Sequence, residues 1–139
     1  MSGADIQMAN LISANLVGVI SNDANFSEAK PNNSILNKSN FSNTNFSNSI
    51  LEYATLERVS LIECNLSGSN LKNSNLSYVK VSNSNFENSF IDEASLFNIK
   101  IENSNFKNAS INILINCSVD IRNYLFNNGA ISQDNASYK

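Results

Sequence analysis

Apolar and polar residues recur along this chain every five positions. Divided in fives from Ala4, the sequence runs ADIQM, ANLIS, ANLVG and onward to SNFKN, ASINI, LINCS and VDIRN. That is 24 consecutive pentads ending at Asn123, with no insertion. The third position is apolar in 21 of the 24, the exceptions being Ser21, Pro31 and Asn116. The first position is always Ala, Ser, Thr, Cys, Val, Ile or Leu. First and third positions make up 48 of the 120 residues in this stretch, yet none of its 19 charged side chains falls on one. A charge buried without a partner costs several kcal/mol, so a face that excludes charge so completely is predicted to point inward. The other three positions of each pentad are predicted to face solvent.

A period of five fits neither a 3.6-residue helix nor an alternating strand. It fits a short extended step followed by a turn, and four such steps close a coil of 20 residues. The 20-residue columns support closure at four. Phe26, Phe46, Leu66, Phe86 and Phe106 form one inward column, and Leu36, Leu56, Leu76 and Leu96 form another. A third column reads Phe41, Leu61, Val81, Ile101, Ile121. Its first-position neighbours Val59, Val79, Ile99 and Val119 are aliphatic, where the other sides mostly use Ala or Ser. One side in four thus differs systematically, which a repeat of five alone would not produce. The predicted fold is all-β: a four-sided parallel β-helix, a solenoid of about six coils, with neighbouring coils about 4.8 Å apart. Asp5, Asn25, Asn45, Asn65, Asn85 and Asn105 are expected to form a ladder at the second position, tolerating turn conformations and bonding nearby backbone. The β-helix is assigned to residues 4–123. Residues 124–139 are assigned to a partial last coil, with Phe126 extending the phenylalanine column, and a tail too short for a substantial dimerisation helix. Ser21 and Pro31 interrupt the ladders, so a bulge or a loose first coil is expected there.

Pentads such as ANFSE, CNLSG, SNLKN and SNFKN resemble the pentapeptide-repeat family, and the resemblance extends over residues 4–123. It implies that family's right-handed quadrilateral β-helix. Some members of the family mimic DNA and bind DNA gyrase or a related topoisomerase. That role is an alternative here, and charge argues against it. Six coils make a rod of roughly 29 Å. Duplex DNA of that length carries about 17 negative charges, against 12 acidic and 9 basic residues in the whole chain.

Composition narrows the chemistry further. The net charge of −3 is too small to imply a nucleic-acid or membrane partner. With no His, the chain lacks the commonest general base and metal ligand. Glu52, Glu57, Glu63, Glu87, Asp92, Glu93 and Glu102 are scattered over outward positions and form no acid–base pair. Cys64 is predicted to face inward and Cys117 outward, so neither a disulfide nor a nucleophilic pair is expected. The Asn-x-Ser sequons, such as Asn40-Phe41-Ser42, follow from the repeat. No catalytic residue, metal site or cofactor is assigned. No apolar run is long enough to span a bilayer, and no secretory leader is evident. Two cysteines make no disulfide framework, and the expected location is cytoplasmic.

Outward apolar residues are the remaining signal. Tyr78 and Phe97 are predicted on one side in adjacent coils. Ile50 and Phe90 share another side two coils apart, and Tyr53 is also outward. These five are the candidate protein contacts. The expected function is a non-enzymatic binding or scaffold module with an unidentified protein partner. A weak homodimer through a solenoid end is also expected, because an uncovered coil leaves backbone and apolar ladder exposed.

Overall fold

A computed structural model describes residues 1–133. It shows the four-sided parallel β-helix expected from the pentads, with the right hand that the family resemblance implies. Three sides of each coil carry one bridging residue followed by a turn. The fourth carries a three-residue strand: β1 Asn40–Ser42, β2 Ser60–Ile62, β3 Lys80–Ser82 and β4 Lys100–Glu102. These four pair in parallel, in chain order, each residue opposite the one 20 further on. This is the side with aliphatic first positions. Val59, Val79 and Ile99 precede β2, β3 and β4, and branched residues suit extended backbone, although β1 follows Ser39. The other sides bridge with the same 20-residue offset, from Asp5–Asn25 to Ser95–Ile115.

Inside, first and third positions form one continuous core. All nine predicted ladder residues are buried, from Phe26 to Phe106 and from Leu36 to Leu96. Phe26 and Phe46 stack at 4.9 Å between centroids, and Phe86 and Phe106 at 4.8 Å. Phe41 meets Phe26 and Phe46 edge-on. Stacked rings at these distances match the spacing of neighbouring coils, so the column packs ring on ring where phenylalanines follow one another.

Asparagine has two separate jobs. At the second position it builds the expected ladder: Asn25 Nδ2 donates to Asp5 Oδ1, Asn45 to Asn25, Asn65 to Asn45, Asn85 to Asn65 and Asn105 to Asn85, at 2.9–3.5 Å. Each Oδ1 also accepts the amide two residues ahead, as Ser27 N does with Asn25 at 3.1 Å. The turn conformation expected there belongs instead to the fifth position. Every fifth residue from Met8 to Ile113 has φ near +50 to +68°. Asn populates the left-handed region more readily than other non-glycine residues. Asn33, Asn43, Asn48, Asn73, Asn83, Asn88, Asn98, Asn103 and Asn108 are placed accordingly.

Ser21 and Pro31 cause no bulge. Both are buried. Pro31 has no amide to give to the next coil, and the Lys30–Ile50 bridge is missing. Asn33 N still donates to Glu52 O at 2.9 Å, so the register resumes within one turn.

The C-terminal boundary does differ from expectation. Regular coiling stops at Ile115, not Asn123, and Val119–Asn127 form a helix, α1. Asn116 occupies a third position, where a polar amide would have to be buried unpaired. It turns out at φ +52° instead. Ser118 then caps the helix, its Oγ accepting from Ile121 N at 3.3 Å. Ile121, Tyr124 and Leu125 lie at i, i+3 and i+4 and face the end of the core. Leu125, not Phe126, is the fully buried residue that closes it. The helix ends in a left-handed glycine: Gly129 has φ +93°, Gly129 N bonds Phe126 O and Ala130 N bonds Leu125 O. The chain then rejoins the stack, with Ser110 bridging Ile131, an offset of 21. The tail expected beyond Gln133 lies outside the described residues.

Candidate protein-contact corner

The side bearing Leu56, Leu76 and Leu96 meets the β1–β4 side at a corner. Its fifth positions stack as Lys38, Arg58, Tyr78 and Asn98 in successive coils. Left-handed backbone at each aims these side chains outward. The Arg58 guanidinium lies over the Tyr78 ring at 4.8 Å. Tyr78 meets Phe97 edge-to-face, with centroids 5.4 Å apart at 87°. Arg58 also pairs with the Glu57 carboxylate. The two rings are 42% and 44% exposed, so an ordered aromatic pair stands in solvent with a cation held against it.

Phe97 leads into a cleft of about 430 Å³, lined by Leu96, Phe97, Ile99, Cys117 and Ile121 among others. One wall is the last coil, and the other is Asn116–Ser118 and the start of α1. Cys117 was expected to be outward and is half-buried here. Burial raises its pKa, with Arg122 acting the other way. Cys64 is fully buried, and burial raises its thiol to about 11. Both thiols are free.

The five predicted contact residues separate into two groups. Tyr78 and Phe97 touch. Ile50 and Phe90 share a column with Asn70 between them. Ile50 is half-buried, and Phe90 is exposed with the Lys72 ammonium 5.4 Å above its ring. Lys72 also reaches Asp92 at 3.8 Å. Tyr53 is exposed at a turn on that second side and makes no ring contact among the described residues. Sequence reasoning missed Arg58, Ile99 and Ile121. Arg58 was discoverable from the 20-residue offset to Tyr78. The cleft was not, because α1 builds half of it. Among the described residues, no three His, Cys, Asp or Glu side chains converge as metal ligands. No helix among them is long and apolar enough to cross a membrane.

The family model for pentapeptide repeats matches in eight copies, over residues 4–41, 24–61 and 49–88. The chain belongs to the pentapeptide-repeat family. No curated protein matches it by sequence. Solved structures similar to this pentapeptide-repeat chain include a pentapeptide repeat protein from the Arabidopsis thaliana thylakoid lumen, 22% identical with a TM-score of 0.48 over 93% of this chain and 77% of that one. HetL, a pentapeptide repeat protein involved in heterocyst differentiation regulation from the cyanobacterium Nostoc, is 19% identical, with a TM-score of 0.40 over 79% and 61%. QnrB1, a plasmid-mediated fluoroquinolone resistance protein, is 12% identical, with a TM-score of 0.47 over 81% and 70%. Likeness at this level assigns no role.

Proposed function

We propose that this pentapeptide-repeat solenoid is a non-enzymatic protein-binding module whose contact surface is the Arg58–Tyr78–Phe97 corner. The observation that carries the reading is the exposed, mutually packed ring pair with a guanidinium on it. Tyr and Arg are the residues most enriched at binding hot spots, and a rigid rod presents them at little entropic cost. The adjoining cleft offers an apolar seat next to the rings. Two free thiols fit a reducing, cytoplasmic setting. The interior is filled with ladder side chains, which favours contact chemistry over turnover.

The test is affinity capture from the source cell with wild type and Phe97→Asp side by side. A specific partner retained by wild type and lost with Phe97→Asp supports the module. Identical capture by both removes the corner from it. The topoisomerase alternative is weaker on charge: Lys80 and Lys100 stack on the β3–β4 face, where a DNA mimic would carry acids. Inhibition of gyrase supercoiling by the purified chain would reinstate it.

A further inference from the structure

On the strand face beside the corner, Lys80 and Lys100 are paired in register on β3 and β4. Both are exposed, and neither has an ion-pair partner among the described residues. Like charges stacked about 4.8 Å apart are unfavourable unless something negative lies across them. A shallow depression of about 180 Å³ runs between them over Val81 and Ile101. Glu102 borders it and accepts from Ser82 Oγ at 3.0 Å, so the depression carries two cations against one anion. The wall of the larger cleft, Leu96–Ile99, runs directly into Lys100. On the other flank of the ring pair stand Lys38 and Arg58. The corner acid Glu57 is occupied by Arg58. The apolar seat thus adjoins the unpaired cations Lys80 and Lys100 in a chain whose net charge is −3.

We infer that the partner of this corner is an acidic protein segment carrying a bulky apolar side chain. The apolar side chain fills the cleft between Phe97 and α1, and the segment's carboxylates lie along Lys80 and Lys100. This rests on the protein-binding reading above and adds the partner's chemistry. A protein segment fits better than a nucleic acid. Base stacking needs an open aromatic face, whereas Arg58 covers one face of Tyr78 and Phe97 abuts the ring edge-to-face.

The probe is a labelled pentapeptide, acetyl-Glu-Glu-Phe-Glu-Glu-amide. It is compared with versions carrying Lys for Glu or Ala for Phe, and with a ten-nucleotide oligodeoxythymidylate. Fluorescence anisotropy gives affinity and amide chemical shifts give location. The acidic phenylalanine peptide is expected to bind, with shifts centred on Phe97, Ile99, Lys100 and Ile121. The double variant Lys80→Glu/Lys100→Glu should weaken it about tenfold, and Phe97→Asp should weaken it comparably. Raised salt should weaken it as well. All substituted positions are exposed, and retained amide dispersion checks the fold. Equal binding of the basic peptide, equal binding of the alanine peptide, tighter binding of the oligonucleotide, or no binding by any peptide each overturns the inference. If the cellular partner is lost with Phe97→Asp while the peptide fails, the module stands and its acidic partner does not.

Discussion

Single positions in this coil obey sharply different rules. A third-position residue touches its own coil and the two beside it, so removing it leaves a hole that a rigid stack cannot close. Leu76→Ala and Phe86→Ala should each cost about 2–5 kcal/mol in chemical denaturation, whereas Lys38→Ala, exposed and without an ion pair among the described residues, should cost less than about 0.5 kcal/mol. Equal losses at Leu76 and Lys38 would contradict the inward and outward assignment. Cys64 adds a pH effect. Its folded pKa is raised to about 11 by burial from an ordinary value of 9.0. Above pH 9 the unfolded thiol ionises while the folded one keeps its proton, so the unfolded state binds fewer protons and stability falls as pH rises. The loss develops between about pH 9 and 11 and amounts to roughly 3 kcal/mol at most. Cys64→Ser, which matches Ser84 and Ser104 in the same column, should flatten that decline relative to wild type. Parallel alkaline profiles for the two proteins would rule the thiol out as its cause.

At the scale of elements, α1 replaces one side of the last coil and continues its bonding pattern. Cys64 N donates to Ser84 Oγ, Ser84 N to Ser104 Oγ, and Ser104 N to the Tyr124 hydroxyl, all at 3.0–3.1 Å. A tyrosine reaching in from the helix stands where the next serine would have been. Tyr124→Phe should leave that amide unpaired and cost about 1–3 kcal/mol. Gly129→Ala should cost more than about 1 kcal/mol, because a Cβ there would lie 2.9 Å from Lys107 Cα at a φ of +93°. In hydrogen exchange, the Asn108 amide, bonded to Gly129 O at 2.8 Å, should lose protection first. Unchanged protection there would show that α1 does not hold the last coil. The inward ladder was legible in the sequence because burial excludes charge at every single position, and 24 repetitions make that exclusion unmistakable. The helix was not. Val119 and Ile121 satisfy the five-residue template and the helical one alike, so VDIRN passed as a pentad. The signals against it were Asn116 at an inward position, Ser118 as a cap and Gly129 as a stop. With α1 unread, the cleft it forms beside Phe97 was unreadable too, although the pairing of Tyr78 with Phe97 followed from the register alone.

At the scale of the molecule, the two ends of the described coil differ. At one, Leu125 is fully buried, and Ile121, Tyr124 and Phe126 pack against the core. At the other, Ile6, Leu11 and Leu16 are only half-buried. The amides of Asp5, Asn10 and Asn15 have no acceptor among the described residues. Unpaired backbone around an apolar floor is the condition under which strand edges recruit another chain. The floor carries little charge to oppose this: Asp5 and Asp23 are the two acidic side chains of residues 4–23, which hold no basic one. We propose that this 139-residue chain associates weakly through that end. Because α1 covers the opposite end, association closes as a two-fold pair and does not grow into a filament. Light scattering should show wild-type mass rising toward that of a dimer with concentration. Ile6→Asp, which sets a carboxylate into the floor, should hold the chain monomeric, and Phe97→Asp should leave the dimer intact. A wild type that stays monomeric at high concentration would refute end association, and a dimer abolished by Phe97→Asp alone would move the contact to the aromatic corner.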